Sequence, residues 1–182
     1  MATLQERIAG ERRRLKSVRQ RLSAALEKTG AEDRASFYTA VGDYMEASME
    51  RLHAQDIKMG NMIREKVERV DESVEKALAE LDERLEGNQQ RLQRMLRARD
   101  DLRAKGADAI GEFESAAKDF TDFIVQSMGH HGATTELAGR LFKPDDWEFM
   151  AGISAADEAR EKDLYAQVED TTPEDLKTPA SQ

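Results

Sequence analysis

The position of the prolines constrains the fold of this chain more than any other feature. The three prolines are Pro144, Pro173 and Pro179, so the first 143 residues contain none. A proline inside a helix breaks it, because proline lacks a backbone N–H and clashes with the preceding turn. Over the same stretch apolar residues recur every three or four positions, and no strand-like alternation occurs. The sequence therefore predicts an all-α protein with long helices.

Four helices are predicted before residue 143, followed by short C-terminal helices. The spacing of apolar residues and the glycines between them place the four at residues 3–29, 33–59, 62–106 and 107–128. Gly60-Asn61 also has two interpretations: a turn after the second helix, or a kink that this helix tolerates. Gly87-Asn88 has two interpretations: it lies inside the third helix, or it forms a hairpin that divides this helix into two.

The predicted helix lengths suggest an overall shape. An uninterrupted third helix is about 66 Å long, whereas the first two are about 39 to 41 Å. The excess length must project from the bundle. The predicted fold is an elongated antiparallel four-helix bundle or coiled coil, from which the third and fourth helices extend as a two-helix arm with its tip near Gly106. Bundle and arm occupy residues 1–142, a helical cap residues 143–169, and a disordered tail residues 170–182.

Charge is distributed unevenly along the chain. The net charge is −9, yet the first 30 residues hold eight basic and three acidic side chains, while residues 106–182 hold six basic and seventeen acidic ones. This asymmetry predicts two sets of ion pairs between helices: residues 12–21 with 65–75, and residues 91–103 with 108–119. An acidic protein whose basic segments lack interleaved aromatics does not resemble a nucleic-acid-binding protein.

Several classes of protein are excluded or disfavoured by composition. The chain has no cysteine, which excludes disulfides, thiolate metal sites and cysteine nucleophiles. No run approaches the roughly 18 apolar residues of a transmembrane helix, and the N-terminus lacks the apolar core of a signal peptide. A cytoplasmic location is therefore expected.

No sequence motif of an enzyme is present. The phosphate-binding, dinucleotide-binding, zinc-protease and serine-hydrolase signatures are all missing, so catalysis is not favoured and no cofactor is predicted. The main hypothesis is a non-catalytic helical scaffold or adaptor, which presents an elongated surface to a protein partner or to a second copy in a homo-oligomer. One alternative is a four-helix-bundle sensor that binds a metal or small ligand. A second is an amphipathic protein that coats a surface.

The metal-binding alternative depends on four residues. Glu50 and His53 have the i, i+3 spacing by which helical carboxylate and imidazole groups project together toward a metal. His130 and His131 follow the fourth helix. Iron, manganese or zinc would suit this set of ligands. The structural interpretation of the same residues is that His53 flanks the apolar stripe and that the Gly-His-His-Gly segment ends a helix.

The densest apolar segment outside the predicted bundle contains Phe142, Trp147, Phe149 and Met150. Such a segment either folds over the end of the bundle or remains exposed as a docking site, because large apolar patches seldom stay uncovered. These four residues are the candidate interaction site.

Two carboxylates interrupt the predicted apolar stripes. Glu11 and Asp56 occupy positions where an apolar residue is expected, and burying a carboxylate is costly unless it has a partner. We interpret them as residues that set helix register. The alternative for Asp56 is a buried catalytic carboxylate.

Overall fold

The computed structural model describes residues 4–28, 34–128 and 131–177, and every regular element in these ranges is helical. The all-α prediction is confirmed. The seven α-helices are α1 (Leu4–Leu26), α2 (Ala35–Lys66), α3 (Glu72–Lys105), α4 (Ile110–Ser127), α5 (His131–Leu141), α6 (Pro144–Met150) and α7 (Ala155–Thr171). Short 3₁₀ turns follow α3 at Gly106–Ala109 and α7 at Glu174–Leu176.

The centre of the fold is an antiparallel hairpin of α2 and α3, which have 32 and 34 residues and are about 48 and 51 Å long. The turn between them lies at residues 67–71, where the Asp71 side chain accepts hydrogen bonds from the backbone N–H groups of Ser73 and Val74, each at 3.0 Å. The turn interpretation of Gly60-Asn61 is wrong, because α2 continues through these residues. Gly60 lies inside α2, where an added Cβ would come within 2.9 Å of Leu81 Cδ2, so this glycine permits close packing of the two helices.

Gly87 lies inside α3, so the uninterrupted interpretation of this helix is correct. The reason is a packing contact: a Cβ at residue 87 would lie 2.2 Å from Cζ of Phe123 in α4. The guanidinium of Arg91 lies 4.1 Å from the centre of the same ring, close enough for a cation–π interaction. The glycine is needed here to admit an aromatic ring.

The α3–α4 end of the molecule does not project as an arm. The chain reverses at Gly106, whose φ is +64°, and α4 packs back along the second half of α3. Ile110 and Phe113, just beyond this turn, belong to the same apolar cluster as Leu22 of α1 and Phe37 of α2. The predicted arm with its tip near residue 106 is wrong, because residues 62–66 belong to α2 and the two central helices have nearly equal lengths.

The interior is divided into two apolar clusters along the α2–α3 hairpin. The first joins α1, the start of α2, the second half of α3, α4 and α7. At its centre the rings of Tyr38 and Phe113 lie 4.9 Å apart, and the Tyr38 hydroxyl donates a 2.8 Å hydrogen bond to buried Glu114. The second joins the end of α2 and the start of α3 with α5 and α6. Two short helices therefore cover the end of the hairpin that extends beyond α4.

The segment from residue 170 is partly ordered, which corrects the predicted disordered tail. Helix α7 continues to Thr171, and Leu176 is buried in the first cluster. Asp175 accepts a 3.1 Å hydrogen bond from Arg34, whose other guanidinium nitrogen donates to the Ala25 carbonyl at 2.6 Å. Composition alone did not reveal these contacts because they join residues far apart in the chain. Residues 178–182 lie outside the described ranges.

One of the two predicted sets of ion pairs is confirmed. Between α3 and α4, Arg91 pairs with Asp119 and Arg94 with Glu112, each at 3.3 Å. The other set is wrong, because in the described parts of the chain no ion pair joins residues 12–21 to residues 65–75. Helix α1 instead pairs with α7 through Arg21 and with α2 through Glu11. Lys28, which follows α1, pairs with Asp175 of the last 3₁₀ turn.

Candidate interaction surface

The residues of the predicted metal site are only partly placed by the structure. Glu50 is exposed and His53 is half-buried, both on α2. His130 and the side chain of His131 lie outside the described residues. Among the described residues, no three or more histidine, aspartate or glutamate side chains are grouped so that they could hold a metal ion. A site for iron, manganese or zinc stays a sequence prediction.

The two carboxylates in the apolar stripes both have arginine partners. Asp56 of α2 lies 3.0 Å from the guanidinium of Arg84 in α3. Glu11 of α1 lies 3.4 Å from Arg51 of α2, which also forms a two-point hydrogen bond with buried Glu161 of α7. Each pair can form only when its two helices are aligned at one position along their axes, which supports a role in register.

The neighbouring carboxylates stabilise the positive charge of Arg51. Burial by itself lowers the pKa of this guanidinium, but hydrogen bonding to Glu161 and the nearby negative charges of Glu161 and Glu11 outweigh burial and raise the pKa above its ordinary value. These charged groups therefore act as structural ties between helices. Sequence reasoning missed Arg51, although the misplaced Glu11 was a signal that a cation must face it.

The predicted aromatic segment divides into a covering part and an exposed part. Phe142 and Met150 are buried in the second cluster, and half-buried Trp147 packs edge-on against Phe142 with ring centres 5.3 Å apart. Phe149, in contrast, is 63% exposed. Of the four candidate residues, three cover the end of the bundle and only the side chain of Phe149 is largely accessible to a partner.

Helix α6, which carries Phe149, is attached at both ends. At its start the Lys143 backbone N–H donates a 2.8 Å hydrogen bond to Asp146, whose carboxylate also pairs with Lys66 of α2 at 3.0 Å. At its end Lys58 of α2 donates to the Phe149 carbonyl at 3.2 Å. Pro144 occupies the first helical position, where its lack of an N–H costs nothing. A helix of seven residues is thereby held in one orientation.

The Phe149 ring is itself in contact with α2. The Lys58 ammonium lies 4.5 Å from the ring centre, so one lysine contacts both the backbone and the ring of the same residue. Ile57, the preceding residue of α2, is 43% exposed. Aromatic side chains are common hot spots of protein interfaces, and a side chain that is already held in one position loses less entropy on binding. Lys58 had no local sequence signal, because it lies 91 positions from its partner.

The cap of α6 leads to a prediction about pH. The hydrogen bond from the Lys143 N–H, followed by the hydrogen bond and charge of Lys66, lowers the pKa of Asp146 below its ordinary value of 3.8. A carboxylate with a lowered folded-state pKa stabilises the fold above its unfolded-state pKa, and this contribution is lost as pH falls through the folded-state value. We expect NMR titration of the Asp146 carboxyl carbon to give a midpoint below 3.8, which Lys66→Met moves upward. An unchanged midpoint in Lys66→Met would contradict the role of Lys66.

Comparison with known proteins does not assign a family. No family model, curated protein or solved structure matches this chain. No helix within the described ranges is both long and apolar enough to cross a membrane.

Proposed function

We propose that this protein is a non-catalytic helical scaffold that binds a protein partner through the surface of α6 centred on Phe149. The observation that carries the proposal is a phenylalanine that is 63% exposed on a helix tied to α2 by Lys58 and Lys66. Phe142 and Met150 are buried, Trp147 is half-buried, and together they anchor the helix. The α2–α3 hairpin supplies a rigid support about 50 Å long.

The test is site-specific photocrosslinking. Phe149 is replaced by benzoylphenylalanine, which keeps an exposed aromatic ring at that position. The control carries the same residue at Val125, which is 59% exposed on α4. Crosslinking in cells of the source organism is expected to yield one protein at residue 149 that is absent at residue 125.

The captured protein is then purified and its dissociation constant is measured with the unlabelled chain. Phe149→Ala is expected to weaken binding at least about tenfold, as is usual for the loss of an aromatic hot-spot residue. Val125→Ala should leave the dissociation constant unchanged. Equal capture at both positions, or equal affinity of both variants, would refute the proposal.

A further inference from the structure

Helix α7 lies in a groove between α1 and α2. Glu161 bonds to Arg51, and the Tyr165 ring packs edge-on against Tyr44 with centres 5.9 Å apart. Further along, Glu169 pairs with Arg21 of α1 at 3.5 Å. These contacts make α7 antiparallel to α2 and parallel to α1.

The contacts of α7 with this groove combine ion pairs with a narrow apolar stripe. Val168 is buried in the first cluster, and Leu164 and Tyr165 are partly buried against it. The 3₁₀ turn after α7 adds buried Leu176, whereas α4 buries a wider apolar stripe of its own. Because α7 buries less apolar surface than α4, its ion pairs contribute a larger share of its attachment.

A shallow, open cleft of about 380 Å³ lies between the start of α2 and the end of α7, with Ser36 and Thr39 on one wall and Gln167 on the other. Asp43 also lines this cleft and pairs with arginines of α3. Segments with few buried apolar contacts open at a lower free energy than the core.

The connection to α7 is short. Residues 151–154 join α6 to α7, while α6 is held separately by Lys58 and Lys66. Helix α7 can therefore leave the groove without displacing α6. Elements on short hinge loops are the usual participants in domain swapping, in which identical elements are exchanged between two copies.

We propose that α7 is an exchangeable helix and that the α1–α2 groove binds the α7 of a second copy of this chain. The groove requires a helix that places a carboxylate at Arg51, an aromatic ring at Tyr44 and an acidic residue at Arg21. Because the α7 of a second copy has this pattern, exchange replaces every contact with an identical one. This inference does not depend on the surface around Phe149.

The first measurement is hydrogen exchange of the full chain followed by mass spectrometry. Residues 155–177 are expected to exchange through an opening that leaves residues 92–120 protected. Glu161→Gln should accelerate exchange of residues 155–177 about 10- to 100-fold, because it weakens a buried ion pair. The matched control is Glu158→Gln, which makes the same charge change at a residue paired with Lys162 inside α7; it should change exchange less than about threefold.

The second measurement detects exchange between copies by fluorescence energy transfer. The chain has no cysteine, so single cysteines can be labelled at exposed positions: a donor at Ala166→Cys in α7 of one copy and an acceptor at Ser23→Cys in α1 of another. Energy transfer is expected to develop at the rate at which α7 opens, and faster when both copies also carry Glu161→Gln. Phe149→Ala should leave it unchanged.

Three outcomes would overturn the inference. In the first, residues 155–177 exchange only when the whole protein unfolds. In the second, α7 opens but no energy transfer develops, which excludes a second copy as the occupant. In the third, transfer appears at once on mixing, which indicates dimers formed side by side without exchange of α7.

Discussion

Phe113→Ala is expected to lower the free energy of unfolding by about 4 kcal/mol, the usual cost of deleting a buried aromatic side chain. Phe113 is fully buried and its ring packs against Tyr38 in the cluster that joins α1, α2, α3 and α4. The surrounding helices are held by ion pairs at several points, so they cannot collapse freely into the space left by the ring. Urea denaturation monitored by circular dichroism measures the change.

Phe149→Ala is the matched control, because it removes the same ring from a position that is 63% exposed. It should change the free energy of unfolding by less than about 0.5 kcal/mol. Equal losses in the two variants would contradict both the burial of Phe113 and the exposure of Phe149. This control is needed for the proposed function too, since a binding defect in Phe149→Ala is informative only if the variant remains folded.

Asp56→Ala is expected to lower the free energy of unfolding by about 3 kcal/mol, because it removes the carboxylate that pairs with a buried guanidinium. The Arg84 side chain is 3% exposed and lies 3.0 Å from Asp56. Thermal and urea unfolding both report this loss.

The matched control is Asp82→Ala. Asp82 also joins α3 to α2, through a 2.8 Å ion pair with Arg64. Both side chains of this pair are largely exposed. Exposed pairs contribute roughly 0 to 1 kcal/mol, and the gain in helix propensity from aspartate to alanine is common to both variants and cancels in the comparison. Asp56→Ala should therefore lose about 2 kcal/mol more than Asp82→Ala.

The double variant Asp56→Leu/Arg84→Met tests the reason for this loss. If the cost of Asp56→Ala arises from the loss of this charge pairing, then replacing both groups with apolar side chains should restore stability to within about 1 kcal/mol of the native chain. A double variant as unstable as Asp56→Ala would indicate that the loss comes from packing instead. A register role for the pair further predicts broadened NMR signals along α2 and α3 in this variant.

The two glycines at residues 60 and 87 show that a local sequence pattern can be ambiguous. Gly60 and Gly87 both looked like breaks in the apolar pattern, and for each of them the alternative was a position within a helix. Both lie inside helices, because Leu81 and the Phe123 ring occupy the space of the missing side chains. The sequence shows that a side chain is absent there. The reason for its absence lies on another helix.

The candidate interaction surface was predicted in part. Sequence composition located the aromatic segment, and its alternatives were that it covers the bundle or stays exposed. The structure divides the four residues between these alternatives, because a short helix in contact with a bundle has one buried face and one exposed face. That Phe149 would be the exposed member depended on where α6 meets α2, which no local pattern records.

The sequence by itself determined that the described chain is helical. The absence of proline before residue 144 and the spacing of apolar residues favour helix through interactions between neighbouring turns, which do not depend on the rest of the fold. It also determined that α3 and α4 are antiparallel and paired by charge, since a short connection at Gly106 leaves few other arrangements. Tertiary structure alone decided which arginine meets Asp56 and Glu11, that α7 lies between α1 and α2, and that residues 170–177 are held by Arg34. Those outcomes depend on contacts between distant segments, whose energies are set by burial and geometry in the assembled bundle.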